Sequence, residues 1–424
     1  MEIRVAGAPD APKGNYIVAL SILATLFFMW GFCTVLNDIL VPHLKAVFEM
    51  NYVQTMLIQF TFFGTYFLLS MPSAKLIEWI GYKYSIMVGL IVMGCGCLLF
   101  IPSAGLASYE LFLAALFVLA AGITLLQVAA NPYAAVLGPE RTSSARLNLM
   151  QFFNSFGTFL APFFGGLLIL SQTKAGTAAA GVVESLQDRL VDARAVQMPY
   201  LGIAIVLFLL AIMFWVMSLP KIPTQPETAE EAKDTLWHHK LLILGAGAIF
   251  LYVGAEVSIG SFLIGYLTSP HISHMTTATA ASYLSYYWGG AMVGRFFIGA
   301  LAMRYLSPSK ILAVNCLAAT GLVVLSMLTH GTIAMSAILL VGLCNSIMFP
   351  TIFTLAIRGL GPLTGSGSGV LIMAIFGGAV MPMAQASFAD SIGLTISFVI
   401  PAACYLYIWY FARKCEQRER AAPI

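Results

Sequence analysis

The chain has 424 residues, of which 60% are hydrophobic and 9% charged, with a formal net charge of +3 and a mean hydropathy of +0.90. Soluble domains carry about 25% charged residues, so this composition excludes a soluble enzyme or a nucleic-acid-binding domain and identifies an integral membrane protein. The seven cysteines all fall in apolar runs or near the C-terminus, and read as small packing residues, not as a disulfide framework.

The first fifteen residues are mostly polar, and no cleavable signal peptide is expected, because the first apolar run is long enough to stay in place as a helix. About 20 apolar residues are needed to cross a ~30 Å hydrocarbon core. Twelve such runs can be placed, near residues 16–40, 52–77, 81–101, 108–137, 146–171, 198–219, 240–268, 277–304, 309–329, 332–358, 365–389 and 394–412. Two polar segments interrupt them. Residues Gln172 to Gln197 contain VVESLQDRLVDARAV, whose apolar spacing fits a short surface helix, and the charged, proline-bearing stretch Pro220 to His239 separates the sixth run from the seventh. The expected fold is an all-α membrane protein of twelve transmembrane helices. Its N-terminal six-helix bundle covers residues 1–219, a cytoplasmic linker 220–239, and a C-terminal six-helix bundle 240–424.

An even number of crossings puts both termini on one side. Of the 21 Lys and Arg residues, sixteen lie in the N-terminus, the even-to-odd loops and the C-terminus. Lys45, Lys174, Arg189 and Arg194 lie on the opposite side, and Arg295 is inside a run. The positive-inside rule therefore places both termini in the cytoplasm, in what would be a bacterial inner membrane.

Two carboxylates sit inside apolar runs, Asp38 in the first and Glu256 in the seventh, 218 residues apart. Each costs roughly 2.5 to 3.5 kcal/mol to insert at mid-membrane, and such residues are usually kept for a substrate pathway, a proton relay or an ion site. The spacing belongs to an internal repeat. A shift of 218 aligns Phe32, Val35 and Asp38 with Phe250, Val253 and Glu256, and Gln127 with Asn345, each followed five residues later by a proline, Pro132 or Pro350. A shift of 223 aligns Leu137-Gly138-Pro139 with Leu360-Gly361-Pro362. Parallel six-helix repeats of this kind build the major facilitator fold, with its site near the midplane.

The runs Asn37-Asp38-Ile39-Leu40-Val41-Pro42, Ala129-Ala130-Asn131-Pro132-Tyr133 and Arg146-Leu147-Asn148-Leu149, followed by Gln151 and by Asn154-Ser155-Phe156-Gly157, resemble the fucose:proton symporter family of the major facilitator superfamily. The stretches Tyr283 to Phe296 and Asn345 to Phe353 resemble its glucose/galactose transporter branch especially. The general superfamily signature between the second and third runs is degenerate, with Glu78, Gly81 and Lys83 as its remnants. The resemblance implies sugar import with a coupling cation, and makes Asp38 the counterpart of a carboxylate the relatives use. It departs in one respect: the relatives have a glutamate where this chain has Gln127, and an amide where it has Glu256.

Two couplings are compatible with these residues. Burial raises the pKa of a carboxyl group, so Asp38 or Glu256 could carry a proton. Alternatively Asp38, with the carbonyl oxygens of Asn37 and Gln127, could hold Na⁺. The bland readings are that Asp38 hydrogen-bonds a helix break, and that Glu256 is a structural ion-pair partner of Arg295, itself a gating or packing residue near the end of the eighth run. Sugar hydroxyls need amides and the ring needs an aromatic face. Asn37, Gln127, Asn131, Gln151, Asn154 and Asn345 are the candidate amides, and Tyr287 and Trp288 the candidate stacking residues. Gln59 and Gln385 are further intramembrane amides that can instead join helices. Gly157, Gly165, Gly166, Gly377 and Gly378 are expected to let helices of the two halves approach and rock.

Gly365-Ser366-Gly367-Ser368-Gly369 lacks the Gly-Lys-Ser/Thr ending of a phosphate loop, and His271 with His274 reads as a solvated loop. No nucleophile–base or metal constellation marks an enzyme. The chain is expected to be a monomeric secondary sugar importer, with the lipid bilayer and a small-molecule sugar as partners and no cofactor beyond the coupling ion. The alternatives are proton-coupled uptake of fucose or N-acetylglucosamine, or an uncoupled facilitator or exporter of the same fold.

Overall fold

An unpaired backbone N–H or C=O in hydrocarbon is costly enough that apolar runs of this length must close their hydrogen bonds within themselves, as helices. The computed structural model describes residues 13–47, 52–106, 108–165, 197–217, 220, 235–273 and 275–421, and no strand occurs among them. The helices are α1 (Lys13–Val47), α2 (Tyr52–Leu106), α3 (Tyr109–Val136), α4 (Ser143–Gly165) and α5 (Gln197–Val216). They continue as α6 (Lys240–Thr268), α7 (Thr277–Gly294) with a π-helical extension Arg295–Leu301, α8 (Pro308–Leu328), α9 (Gly331–Asn345) and α10 (Met348–Ile357). The last are α11 (Thr364–Met373), α12 (Gly377–Ile392), α13 (Leu394–Ser397) and α14 (Val399–Ala421).

Nine helical stretches among the described residues are long and apolar enough to cross a membrane. The 55 residues of α2 are more than one crossing needs; Gly81, with φ 77° and ψ 169°, breaks the helix there into two. A β-carbon on Gly81 would meet nothing, so backbone conformation alone asks for glycine. Next to it, the Lys83 ammonium donates to the Trp215 and Met217 carbonyls at 2.9 and 2.7 Å and so closes the C-terminal end of α5. With α2 counted twice, and with α4 and the α7–π helix added, twelve crossings result.

The chain forms two compact units, Ala11–Asn131 with Phe153–Ile222, and Pro132–Phe152 with Pro223–Ile424. In the first, Phe100 of α2 packs on Phe112 of α3 and Tyr200 of α5, with ring centroids 5.3 and 4.5 Å apart. Within the second, Tyr266 of α6 donates to the Ser326 carbonyl of α8 at 2.7 Å. The start of α4 packs there too: Ser144 Oγ lies 2.6 Å from Thr354 Oγ1, and Phe152 meets Phe296 at 5.0 Å.

Three expectations need correction or refinement. Two of the glycines make close approaches between helices of the same unit. A β-carbon on Gly157 would lie 2.2 Å from the Phe28 carbonyl oxygen of α1, and one on Gly377 would lie 1.9 Å from that of Phe250 on α6, both contacts inside a unit. The last helix runs nine residues past 412. It does so because Arg413 and Arg420 pair with the buried Glu416 one turn away, while Glu419 accepts from Ser307, Ser309 and Arg358 at 2.9, 2.6 and 2.8 Å. Finally, the tenth crossing is broken between Asn345 and Met348. The surface helix expected after Gln172, and most of the Pro220 to His239 linker, lie outside the described residues.

Candidate functional site

Pro350 explains the break. A proline has no N–H to give to the carbonyl four residues back, here that of Ser346. The Arg295 guanidinium supplies the missing donor: Nε donates to the Ser346 carbonyl oxygen at 3.1 Å. At the same break the Tyr252 hydroxyl, from α6, reaches the Asn345 carbonyl oxygen at 3.1 Å. Helix ends leave carbonyls without intrahelical partners, so two side chains from neighbouring crossings complete this one.

Around the break is a polar cluster buried in the second unit. Tyr252 is one turn before Glu256 on α6, and its hydroxyl donates to Glu256 Oε1 at 2.8 Å. Asn345 Nδ2 donates to the Tyr287 hydroxyl of α7 at 2.7 Å, and that hydroxyl lies 3.4 Å from the Glu256 carbonyl oxygen. Asn345 also faces the buried Tyr405 hydroxyl of α14. With 1.5 Å of rise per residue, Glu256 is about 24 Å from the start of α6 and about 18 Å from its end, near the middle of the crossing.

The first unit repeats part of this arrangement. Gln127 Nε2, on α3, donates to the Tyr66 hydroxyl of α2 at 2.8 Å. Gln127 and Asn345 are 218 residues apart and Tyr66 and Tyr287 are 221 apart, so an amide on the fourth crossing of each half meets a tyrosine on the second. Asn154 Nδ2 donates to the Phe27 carbonyl of α1 at 3.1 Å.

The structure brings some of the expected site residues together and keeps others apart. Glu256 and Asn345 share one cluster, with Arg295 on the adjoining carbonyl. The Arg295 charge also acts on Glu256 across the cluster. Gln127 and Asn131 are buried on α3, and Gln151 is buried on α4. Trp288 is 44% exposed, with its ring edge 3.3 Å from where a β-carbon on Gly260, one turn beyond Glu256, would be. Tyr287 is 1% exposed, and its hydroxyl accepts from Asn345. Asn37 and Asp38 belong to α1, but their side chains lie outside the described residues, as does His274. Gln59 is exposed, and Gln385 bonds Ser397 at 3.2 Å as a helix-joining amide.

Arg146, which belongs to a motif-bearing run, donates to the Ala134 and Pro139 carbonyls at 3.2 and 2.7 Å and so closes the end of α3. Tyr66, Tyr252 and Tyr405 are cluster residues that the sequence did not single out. The i, i+4 spacing of Tyr252 and Glu256, and the presence of a tyrosine in the second run of each half, Tyr66 and Tyr287, three residues off the 218 register, are the signals that could have found them.

Comparison with known proteins agrees with this architecture. The profile of the Major Facilitator Superfamily matches residues 19–382. A glucose/galactose transporter of Brucella abortus (strain 2308) is 50% identical over 94% of each chain. The L-fucose-proton symporter of Escherichia coli (strain K12) is 35% identical, covering 94% of this chain and 93% of that one. A crystal structure of the superfamily transporter FucP in the outward conformation superposes with a TM-score of 0.88 at 34% identity, covering 95% of this chain and 99% of that one.

Proposed function

The chain belongs to the Major Facilitator Superfamily, and we propose that within it this protein is a secondary active importer, carrying a hexose such as glucose or galactose into a bacterial cell together with a proton. The observation that carries the reading is Glu256, a half-buried carboxylate at mid-helix in a polar cluster inside the bundle, hydrogen-bonded by Tyr252 beside the broken tenth crossing. A carboxylate so placed is expensive unless it works. Its described partner donates a hydrogen to it, which suits a group that exchanges a proton; a sodium site would need oxygen lone pairs turned towards the ion. The relatives named as a glucose/galactose transporter and as a fucose-proton symporter support both the sugar class and the coupling.

In this reading Asp38 and Glu256 carry the coupling proton. The amides of Asn37, Gln127, Asn131, Gln151, Asn154 and Asn345 bind sugar hydroxyls, Trp288 faces the ring, and Arg295 gates the tenth crossing through Ser346. The two sequence halves, 1–219 and 240–424, alternate access to a monomeric carrier whose termini are both cytoplasmic, in line with the Lys and Arg distribution.

Uptake of labelled glucose, galactose, fucose and N-acetylglucosamine into proteoliposomes, under separate proton and sodium gradients, tests the proposal. Glucose or galactose accumulation driven by the proton gradient is expected. Accumulation driven by sodium alone would replace the proton with Na⁺ held by Asp38, Asn37 and Gln127, and equilibration without accumulation would make the protein a facilitator. Replacing Asp38 by Asn is expected to abolish accumulation while exchange of bound sugar survives in part.

A further inference from the structure

The Tyr252 hydroxyl has one hydrogen and two acceptors in reach, Glu256 Oε1 at 2.8 Å and the Asn345 carbonyl oxygen at 3.1 Å. A hydroxyl donates fully to only one of them at a time. The two acceptors belong to different things: one is the candidate proton carrier on α6, the other is the last carbonyl of α9 at the break in the tenth crossing. We propose that Tyr252 is a positioning residue that converts the protonation state of Glu256 into a tie, made or released, between α6 and the broken tenth crossing. This rests on the reading of Glu256 as a coupling carboxylate.

When Glu256 is ionised, the Tyr252 hydrogen goes to the charged oxygen, which makes the stronger, charge-assisted bond. A proton arriving from water binds a Glu256 carboxyl oxygen; the group becomes neutral and itself a donor. Tyr252 can then turn its hydrogen to the Asn345 carbonyl, and the proton later leaves Glu256 to water on the other side. No covalent bond other than that O–H is made or broken. The groups that face Glu256 among the described residues are Tyr252 on its own helix, Arg295 from the π-helical segment, Tyr287 from α7 and Tyr405 from α14. None of the tyrosines needs to ionise for the exchange.

The broken crossing is linked to further helices at the same point. The Tyr405 hydroxyl of α14 is buried beside Asn345 and faces its side chain. Asn345 is anchored on its other side, through Nδ2, to Tyr287. A movement of the break is therefore passed to α7 and α14 through Asn345.

The test is a double-mutant cycle on the full chain in proteoliposomes, with Tyr252→Phe, Glu256→Gln and both. Proton-driven sugar accumulation is expected to fall by about tenfold in Tyr252→Phe, with a displaced pH profile, and to fall no further when Tyr252→Phe is added to Glu256→Gln. Losses that multiply in the double variant would overturn the proposal, as would normal accumulation and an unchanged pH profile in Tyr252→Phe. Wild-type accumulation in Glu256→Gln would instead overturn the coupling role of Glu256 from which the proposal starts. Hydrogen exchange supplies a measurement that does not depend on Tyr252→Phe folding. In the wild-type protein the amides of residues 343–349 should change protection with pH, and in Glu256→Gln they should not; equal pH response in both would also overturn it.

Discussion

At the scale of single residues, the amide–tyrosine pairs matter most. Gln127 with Tyr66 and Asn345 with Tyr287 are the same interaction made twice, at 2.8 and 2.7 Å. Removing the tyrosine hydroxyl strands a buried amide N–H, and a stranded buried donor costs about 1 to 3 kcal/mol. Tyr287→Phe should therefore lower the unfolding temperature of the detergent-solubilised protein, and Tyr66→Phe should do so by a similar amount. Thermal unfolding of the two variants beside wild type would check this; unaltered unfolding in both would mean that the pairs are not structural. The amides were legible in the sequence because a polar side chain in an apolar run is conspicuous. Their partners were not, because Tyr66 is 61 residues from Gln127 and Tyr287 is 58 residues from Asn345. Arg146 shows the converse: it is conspicuous in a motif, yet it bonds the Ala134 and Pro139 carbonyls, at and just beyond the end of α3.

At the scale of helices, the repeat reappears as packing. Gly157 lets α4 reach the Phe28 carbonyl of α1, and Gly377 lets the start of α12 reach the Phe250 carbonyl of α6. A methyl group at either place meets backbone and cannot be accommodated by turning a side chain. Gly157→Ala and Gly377→Ala should each destabilise by about 1 to 3 kcal/mol, the usual penalty of overpacking. Gly321→Ala on α8, where a β-carbon meets nothing, should be neutral or slightly stabilising. Thermal stability of the three purified variants separates close approach from a general intolerance of substitution. The crossings were legible from hydropathy alone, since length and apolar content decide them. The break at Asn345 was marked by Pro350, but a proline kinks some helices and merely bends others: α3 continues through Pro132 to Val136. The extension of α14 past 412 escaped the hydropathy pattern because its residues are charged. What holds it is a set of pairs around Glu416 and Glu419.

At the scale of the whole molecule, Arg358 ties together parts of the second unit that are far apart in the chain. Its guanidinium meets Glu140 at 3.2 Å, ahead of α4, and Glu419 at 2.8 Å, on α14. These groups are partly exposed, so the ties are worth roughly 0 to 1 kcal/mol each and should weaken with salt. Arg358→Gln should lower stability slightly at low ionic strength and indistinguishably at high ionic strength. The duplication explains how one carboxylate and one amide come to stand in each half. It also shows where the halves have diverged: Glu256 has a tyrosine partner one turn earlier, whereas residue 34, at the position equivalent to Tyr252, is a threonine that donates to the Trp30 carbonyl of its own helix. On the proposed reading, proton handling in the described residues is built into the second half, around Glu256.

The most direct test of that claim is proton movement itself. Proteoliposomes holding a pH-sensitive dye, with no gradient imposed, should acidify inside when galactose or glucose is added to wild-type protein, and should not when it is added to Glu256→Gln. Sugar entry without acidification in the wild-type protein, or acidification of equal size in Glu256→Gln, would contradict it.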